Sequence, residues 1–319
     1  MARDHFVAQT YLREWVNPES GMMHGYGKRS SKEFPCATKD VCREWDWDVN
    51  PYFKNQRLMG DYRKIFEPLW RPTVTAVRAH RLSSEDKFVL SGFWALLTTC
   101  TPTWHRNAVK VAERQLADFI PLVARQLAKE KPEYHDFVED TLAAGGIQPS
   151  PDQQRIKAIL TQQLTRTTTL LYQLDWILIR NNTEAHFVTS DNPSSVFPRR
   201  PFSHNLVRFL PLAPDLALLT VNDPRIKRID ELSDLEKMPP GRVRYGRVTR
   251  KQATRLNRVT VMNADEMVFS IEKSVRMRRL VRNHREFSIS VKHEHVPMPG
   301  GAYLNASTLI VHRERNIPK

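Results

Sequence analysis

The hydrophobic period of the chain changes near Asp175, and that change limits the folds open to it. Before it, apolar residues recur at the three- and four-residue spacing of helices. After it, they alternate or run together as strands do. Helices gathered in one part and strands in the other mean an α+β protein rather than a parallel α/β one. The expected architecture is therefore a largely helical N-terminal half, 1–173, packed on a basic, mixed α/β C-terminal half, 174–319, with a small antiparallel sheet. At roughly 150 residues per domain, the 319 residues suffice for one large domain or two small ones. The two regions are expected to form one compact unit with a site between them.

Local signals place the elements. Ser83 and Asp86 stand at capping-box spacing ahead of an apolar run, which predicts a helix reaching about Cys100, where Thr101-Pro102 stops it. Leu58, Tyr62, Phe66, Leu69, Val74 and Val77 predict helix over 56–81, bent or interrupted by Pro68 and Pro72. Helices are also expected over 103–128, with a bend at Pro121, over 133–144 and over 151–173. Residues 5–15 fit a helical period as well. In the second half Trp176-Ile177-Leu178-Ile179 reads as a strand, Asn181-Asn182 as a turn and 185–189 as the returning strand. Further strands are expected at 216–221, 267–271, 287–292 and 304–311. Residues 247–262 resume a helical period, with Val248, Leu256 and Val259 inward and Arg247, Lys251, Arg255 and Arg258 along the opposite face.

The 49 Lys and Arg exceed the 35 Asp and Glu, and the excess is local. Residues 1–198 are close to neutral, whereas 199–319 hold 24 basic and 12 acidic side chains. A localised excess focuses potential and draws polyanions, of which nucleic acid, RNA or DNA, is the commonest. A basic surface that serves solubility alone is the plainer alternative. An apolar content of 40% rules out a wholly disordered chain. The sequence lacks a P-loop, a dinucleotide glycine fingerprint, a nucleophile elbow and zinc-finger spacing, which disfavours the enzyme classes built on them. Cys36, Cys42 and Cys100 are too few for a disulfide framework, and no Cys/His cluster completes a zinc site. The most apolar stretch, 88–104, is interrupted by Ser, Thr and Pro and is shorter than the ~20 residues of a membrane span. The opening residues lack an apolar run behind a basic start. A cytoplasmic protein with no membrane partner is expected.

Three segments carry residue types suited to chemistry. In His5-Phe6-Val7-Ala8-Gln9-Thr10-Tyr11-Leu12-Arg13, a helix would set His5, Gln9 and Arg13 on one stripe. Imidazole exchanges a proton near neutral pH, the amide orients a ligand and guanidinium clamps phosphate. Phe187-Val188-Thr189-Ser190-Asp191-Asn192-Pro193 ends a strand in two hydroxyls, a carboxylate and an amide, an arrangement equally ordinary for an Asx-turn. In Arg255-Leu256-Asn257-Arg258 a polar amide sits beside an inward leucine on a basic helix. Glu67 could join a carboxylate pair with Asp191, although a surface acid is the simpler reading. His293-Glu294-His295 sets two imidazoles on one strand face without a third nearby ligand.

These segments, in this order, resemble the signatures of the family catalogued as domain of unknown function 4238. Its members typically begin His-Phe-Val-Pro-Gln-x-Tyr-Leu-Arg, with Ala8 here in place of the proline. Phe187 to Pro193 is similar to the family's second signature. Pro211-Leu212-x-Pro214 before an aliphatic strand, and Leu256-Asn257 before Ala264, resemble its later landmarks. The resemblance implies that His5, Gln9, Asp191, Asn192 and Asn257 belong to one site, and it supplies no reaction.

The conjunction of a His/Gln/Arg stripe, an Asp-Asn turn and an arginine-rich surface favours a nucleic-acid-acting phosphodiesterase. It would be an RNase- or DNase-like effector, of the kind used in bacterial defence or toxin systems. His5 would act as general base or acid, with Asp191 as its orienter or as a ligand to a divalent metal such as Mg. Gln9, Asn192 and Asn257 would position the substrate and Arg13 would stabilise developing charge. Arg247, Lys251, Arg255, Arg258, Arg278 and Arg282 would hold the nucleic-acid backbone. The alternatives are a non-catalytic module binding nucleic acid or an acidic partner, and an enzyme acting on a small nucleotide or phosphorylated ligand.

Overall fold

The computed structural model describes residues 2–145, 149–197, 207–221, 239–297 and 303–314, with the backbone alone at 294–297 and 303–308. The architecture is α+β, with helices concentrated before residue 174 and the mixed sheet after it.

The chain opens with β1 (Arg3–His5), a single-turn α1 (Gln9–Leu12) and a 3-10 turn over Arg13–Trp15. The continuous helix expected over 5–15 is therefore not formed. β1 pairs with β4 (Arg43–Trp45), so the backbone at His5 spends its hydrogen bonds on a sheet instead of a helix. Between them lie β2 (Met23–Gly27) and β3 (Glu33–Cys36). α2 (Leu58–Phe66) and α3 (Trp70–Arg78) are separated at Pro68 by a 3-10 turn, because proline removes a helical donor. α4 (Ser84–Thr99) begins at the expected capping box, with Ser83 Oγ accepting from Asp86 N and Asp86 Oδ2 from Ser83 N, each at 3.0 Å. From Val89 to Thr99 it is buried on all sides. α5 (Pro102–Glu130) contains Pro121 and leads to α6 (His135–Ala143). The helix expected over 151–173 is two helices, α7 (Gln153–Gln162) and α8 (Leu164–Gln173). The turn tightens at Gln163, whose N–H is shared between the carbonyls of Ile159 and Leu160, and Leu164 is thereby turned fully into the core.

β5 (Asp175–Arg180) starts the strand-rich region. The expected hairpin partner does not form. Asn181 closes its own loop, donating to Ala185 O at 2.9 Å and accepting from Thr183 N at 3.1 Å, while Phe187 N bonds Pro214 O. With those groups committed elsewhere, only Thr189–Ser190 is extended, as β6, and it pairs with a strand of another sheet. The remaining strands are β7 (Ser195–Val196), β8 (Arg208–Ala213), β9 (Leu216–Val221), β10 (Val243–Arg247), β11 (Met267–Ser270), β12 (Phe287–Pro297) and β13 (Tyr303–Arg313). One sheet has the order β10-β5-β9-β8-β7, with β10 parallel to β5 and the other pairs antiparallel. A second, wholly antiparallel, has the order β3-β2-β11-β6 and so draws strands from both ends of the sequence.

α9 (Arg250–Asn263) is shorter than the helix expected from residue 247. Thr249 caps it, exchanging hydrogen bonds with Gln252, and Arg247 therefore lies at the end of β10 instead of on the helix. α10 (Val275–Asn283) was not foreseen, although Met277, Leu280 and Val281 stand at helical spacing behind the Ser274 cap. The main apolar cluster joins Tyr11, Trp15, Trp70, Phe93 and Trp94 to Trp176, Leu210, Leu218 and Phe269, so a single core draws on both halves of the chain. Among the described residues no helix is long and apolar enough to cross a membrane.

Candidate functional site

The segments singled out in the sequence converge, and where they meet they are packed. Tyr11, fully buried on α1, donates to Pro211 O and shares a hydrogen bond with Thr189 Oγ1, both at 2.7 Å. Trp15 Nε1 donates to Phe187 O at 3.0 Å. The opening segment is thus pinned to the 187–189 stretch and to β8. From the other side α9 reaches the same stretch. Asn257 accepts from Val188 N at 3.2 Å and donates to His186 O at 2.7 Å. One turn and a half later, Asn263 accepts from Val196 N and donates to Val196 O, both at 3.0 Å. Asn192 donates to Asn263 O at 3.0 Å and accepts from Thr101 Oγ1 at 3.2 Å, tying the start of α5 to the end of α9.

Asp191 is anchored in the same way. Its carboxylate accepts from the backbone amides of Asp265, Glu266 and Met267 at 2.9, 2.7 and 2.9 Å. Burial raises its pKa to about 6, and the neighbouring Asp265 carboxylate adds to the rise while the three amides oppose it. Near it Lys28, also buried, donates to Met262 O and Ala264 O. Burial lowers this lysine to about 8, against the pull of Asp191 and Asp265.

His5 takes no part in these hydrogen bonds. The ring is half-buried, and Gln9 Nε2 lies 3.4 Å from its Nδ1. Nε2 is buried and, among the described residues, has no partner in hydrogen-bonding geometry. Burial lowers the pKa of the ring; backbone groups of Lys39 and Thr38 oppose this, and the charges of Arg43 and Arg63 reinforce it. The neutral form of the imidazole is favoured as a result. Among the described residues no hydrogen bond or ion pair joins it to Asp191. Arg13 is exposed on the 3-10 turn and acts on Glu67. Glu67 in turn pairs with the buried Arg63, which also holds Asp48 at 3.3 Å, so Glu67 is committed to an arginine and not to a second carboxylate. The fold therefore places His5, Gln9 and Arg13 on one segment and Asp191, Asn192 and Asn257 in a separate hydrogen-bonded bracket.

The cations form the more open feature. Lys251, Arg255 and Arg258 project from α9 and, with Arg250 and Arg276, line a groove of about 600 Å³. Among the described residues no acidic side chain lines it. Arg276 reaches across from α10 to Thr254 Oγ1 at 2.5 Å and fixes one wall. Arg250 also pairs with the exposed Glu184 at 2.8 Å. Of the other expected contacts, Arg278 is tied to Glu33, while Arg247 and Arg282 are exposed outside this groove. Arg250 and Arg276 were missed because the start of α9 was placed too early and α10 not at all. A sharper reading of Thr249-x-x-Gln252 as a cap would have recovered the first.

Among the described residues no group of three His, Cys, Asp or Glu side chains is arranged to hold a metal ion. The side chains at Glu294 and His295 lie outside the described residues. Cys36, Cys42 and Cys100 are buried and unbridged, and burial raises the pKa of each.

Comparison with curated proteins and with solved structures finds no match to the chain. A family model described as Protein of unknown function (DUF4238) matches residues 3–274, a span that contains the pinned opening segment, the 187–193 turn and all of α9. The chain belongs to this family.

Proposed function

We propose that the protein binds nucleic acid through the phosphate backbone, along the groove lined by Arg250, Lys251, Arg255, Arg258 and Arg276. The observation that carries this reading is five cationic side chains around one open groove with no acid among its described lining residues. Guanidinium groups match phosphate geometry bidentately, and a concave surface of one charge sign concentrates the field that attracts a polyanion. Four or five phosphate contacts on a single strand predict a fall in affinity of about 100-fold between 50 and 200 mM salt. Fluorescence anisotropy with a labelled oligonucleotide tests this. Arg255→Glu and Arg258→Glu should weaken binding at least tenfold and flatten the salt dependence, and unchanged affinity in both would overturn the proposal.

A second reading, phosphodiester hydrolysis, is favoured by the state of His5. Burial and the charges of Arg43 and Arg63 favour the neutral imidazole; Gln9 Nε2 donates to Nδ1 and leaves the ring proton on Nε2, so the ring takes a proton from an attacking hydroxyl or water at Nδ1 once Gln9 turns away. Asp191, spent on three amides, is left out of this chemistry. If His5→Ala degrades RNA and DNA as fast as the parent, the hydrolytic reading is wrong and the binding reading remains.

A further inference from the structure

Beside the cationic groove lies a second, smaller cavity of about 210 Å³, and the two share Thr254 and Arg276 as a common wall. Its floor is apolar, formed by Val188 from the bracket, Ile271 after β11, and Met277 and Leu280 from α10. An apolar cavity of roughly 150 Å³ is enough to take a benzene ring, so this one has room for a larger flat heterocycle. At its rim the His186 ring and the Asn283 amide are exposed and make no described hydrogen bond, whereas Asn257 on the wall has its amide fully used. A ring-sized slot with an apolar floor, bordered by His186 and Asn283 and by the carboxylates of Glu184 and Glu272, therefore abuts the line of cations.

We infer that the cavity receives an unpaired nucleobase, and that the polymer in the groove is single-stranded. The inference rests on the proposed backbone binding and specifies its substrate class. In a duplex the base faces are stacked and the pairing edges occupied, so the slot would stay empty unless a base were extruded at a cost. In a single strand a base next to the bound phosphates enters with its faces against Val188, Met277 and Leu280, and its edge meets Asn283 and His186. Stacked or inserted bases supply the affinity that phosphates alone do not. The match to the family model stops at residue 274, one residue before α10 begins, so Met277, Leu280 and Asn283 are supplied from outside the matched span.

The test compares one labelled 12-residue oligonucleotide, single-stranded and annealed to its complement, at fixed salt with the full-length protein. The parent should prefer the single strand by about tenfold or more, the scale of one base contact. Ala185→Phe, which fills the cavity from its loop wall, should abolish the preference and leave duplex affinity within twofold. Asn283→Ala, an exposed change that spares the core, should reduce the preference several-fold. Retained duplex binding serves in both as the check on folding. If parent and variants bind both forms alike, the base pocket is refuted while the cationic groove stands. If the parent binds neither form, the backbone-binding proposal itself fails.

Discussion

Replacing Asn257 by alanine separates a ligand-positioning residue from a structural one. The amide is buried, accepting from Val188 N and donating to His186 O. Alanine leaves Val188 N–H without its acceptor inside a residue only 1% exposed. A buried donor stranded in this way costs about 1–3 kcal/mol. The His186 carbonyl belongs to an exposed residue and can be rehydrated, so its loss is nearer ~1 kcal/mol. The better helix propensity of alanine returns about 0.5 kcal/mol. The net expectation is a loss of about 1.5–3.5 kcal/mol, which at roughly 2–4 °C per kcal/mol lowers Tm by about 3–14 °C. Urea unfolding should show a lower midpoint with an unchanged slope, and duplex affinity, which does not use the cavity, should stay within about twofold of the parent when measured well below Tm. An unchanged Tm together with lost binding would refute the bracing role and return Asn257 to the ligand.

Three further outcomes follow from the same geometry. The folded pKa of Asp191, raised to about 6, exceeds the unfolded value of about 3.9, so its contribution is fully present below pH 4 and is lost as pH rises through 6, by about 3 kcal/mol. Urea midpoints of the parent should fall between pH 4 and 7 relative to those of Asp191→Asn, and a parallel pair of curves would count against the raised value. Gly92→Ala would set a Cβ 2.2 Å from the Phe66 ring, which predicts about 1–3 kcal/mol of overpacking in a urea melt, partly relieved by Phe66→Leu; a neutral Gly92→Ala would show that α2 and α4 slide apart freely. Arg63→Met strips the buried Asp48 carboxylate and the half-buried Glu67 carboxylate of their shared cation and should cost about 3–5 kcal/mol in the same assay; a loss under 1 kcal/mol would mean that water already reaches the pair.

Much of the helical half was legible because its signals are local. The Ser83–Asp86 capping box fixes the start of α4 and Pro68 marks the break before α3. What escaped was set by contacts distant in sequence. The opening segment has a helical period, yet β1 forms because β4, some 40 residues on, offers a pairing edge. The 185–189 stretch alternates like a strand, but its backbone groups are taken by Trp15, Pro214 and Asn257. Sequence order put His5 and Asp191 in one expected constellation, and it carried no information on how many amides would converge on the carboxylate. The clustering of cations after residue 241 was legible from charge alone. Their gathering into a groove required α10, whose Met277, Leu280 and Val281 were overshadowed by the arginines between them.

The bracket and the groove bear on each other through α9. Its inward amides at Asn257 and Asn263 bond the 186–196 stretch, and its opposite face presents Lys251, Arg255 and Arg258. A helix held only by apolar contacts can rotate or slide by a fraction of a turn at small cost; one whose buried side chains bond fixed backbone groups cannot move without stranding them. Asp191 fixes the backbone just past the C-terminal end of α9 through residues 265–267, and Arg276 fastens α10 to Thr254. The cations are therefore presented on a backbone that is already ordered, which lowers the ordering cost of binding to that of their own side chains. On this account the polar residues expected to touch a ligand act at one remove. They hold in place the surface proposed to do so.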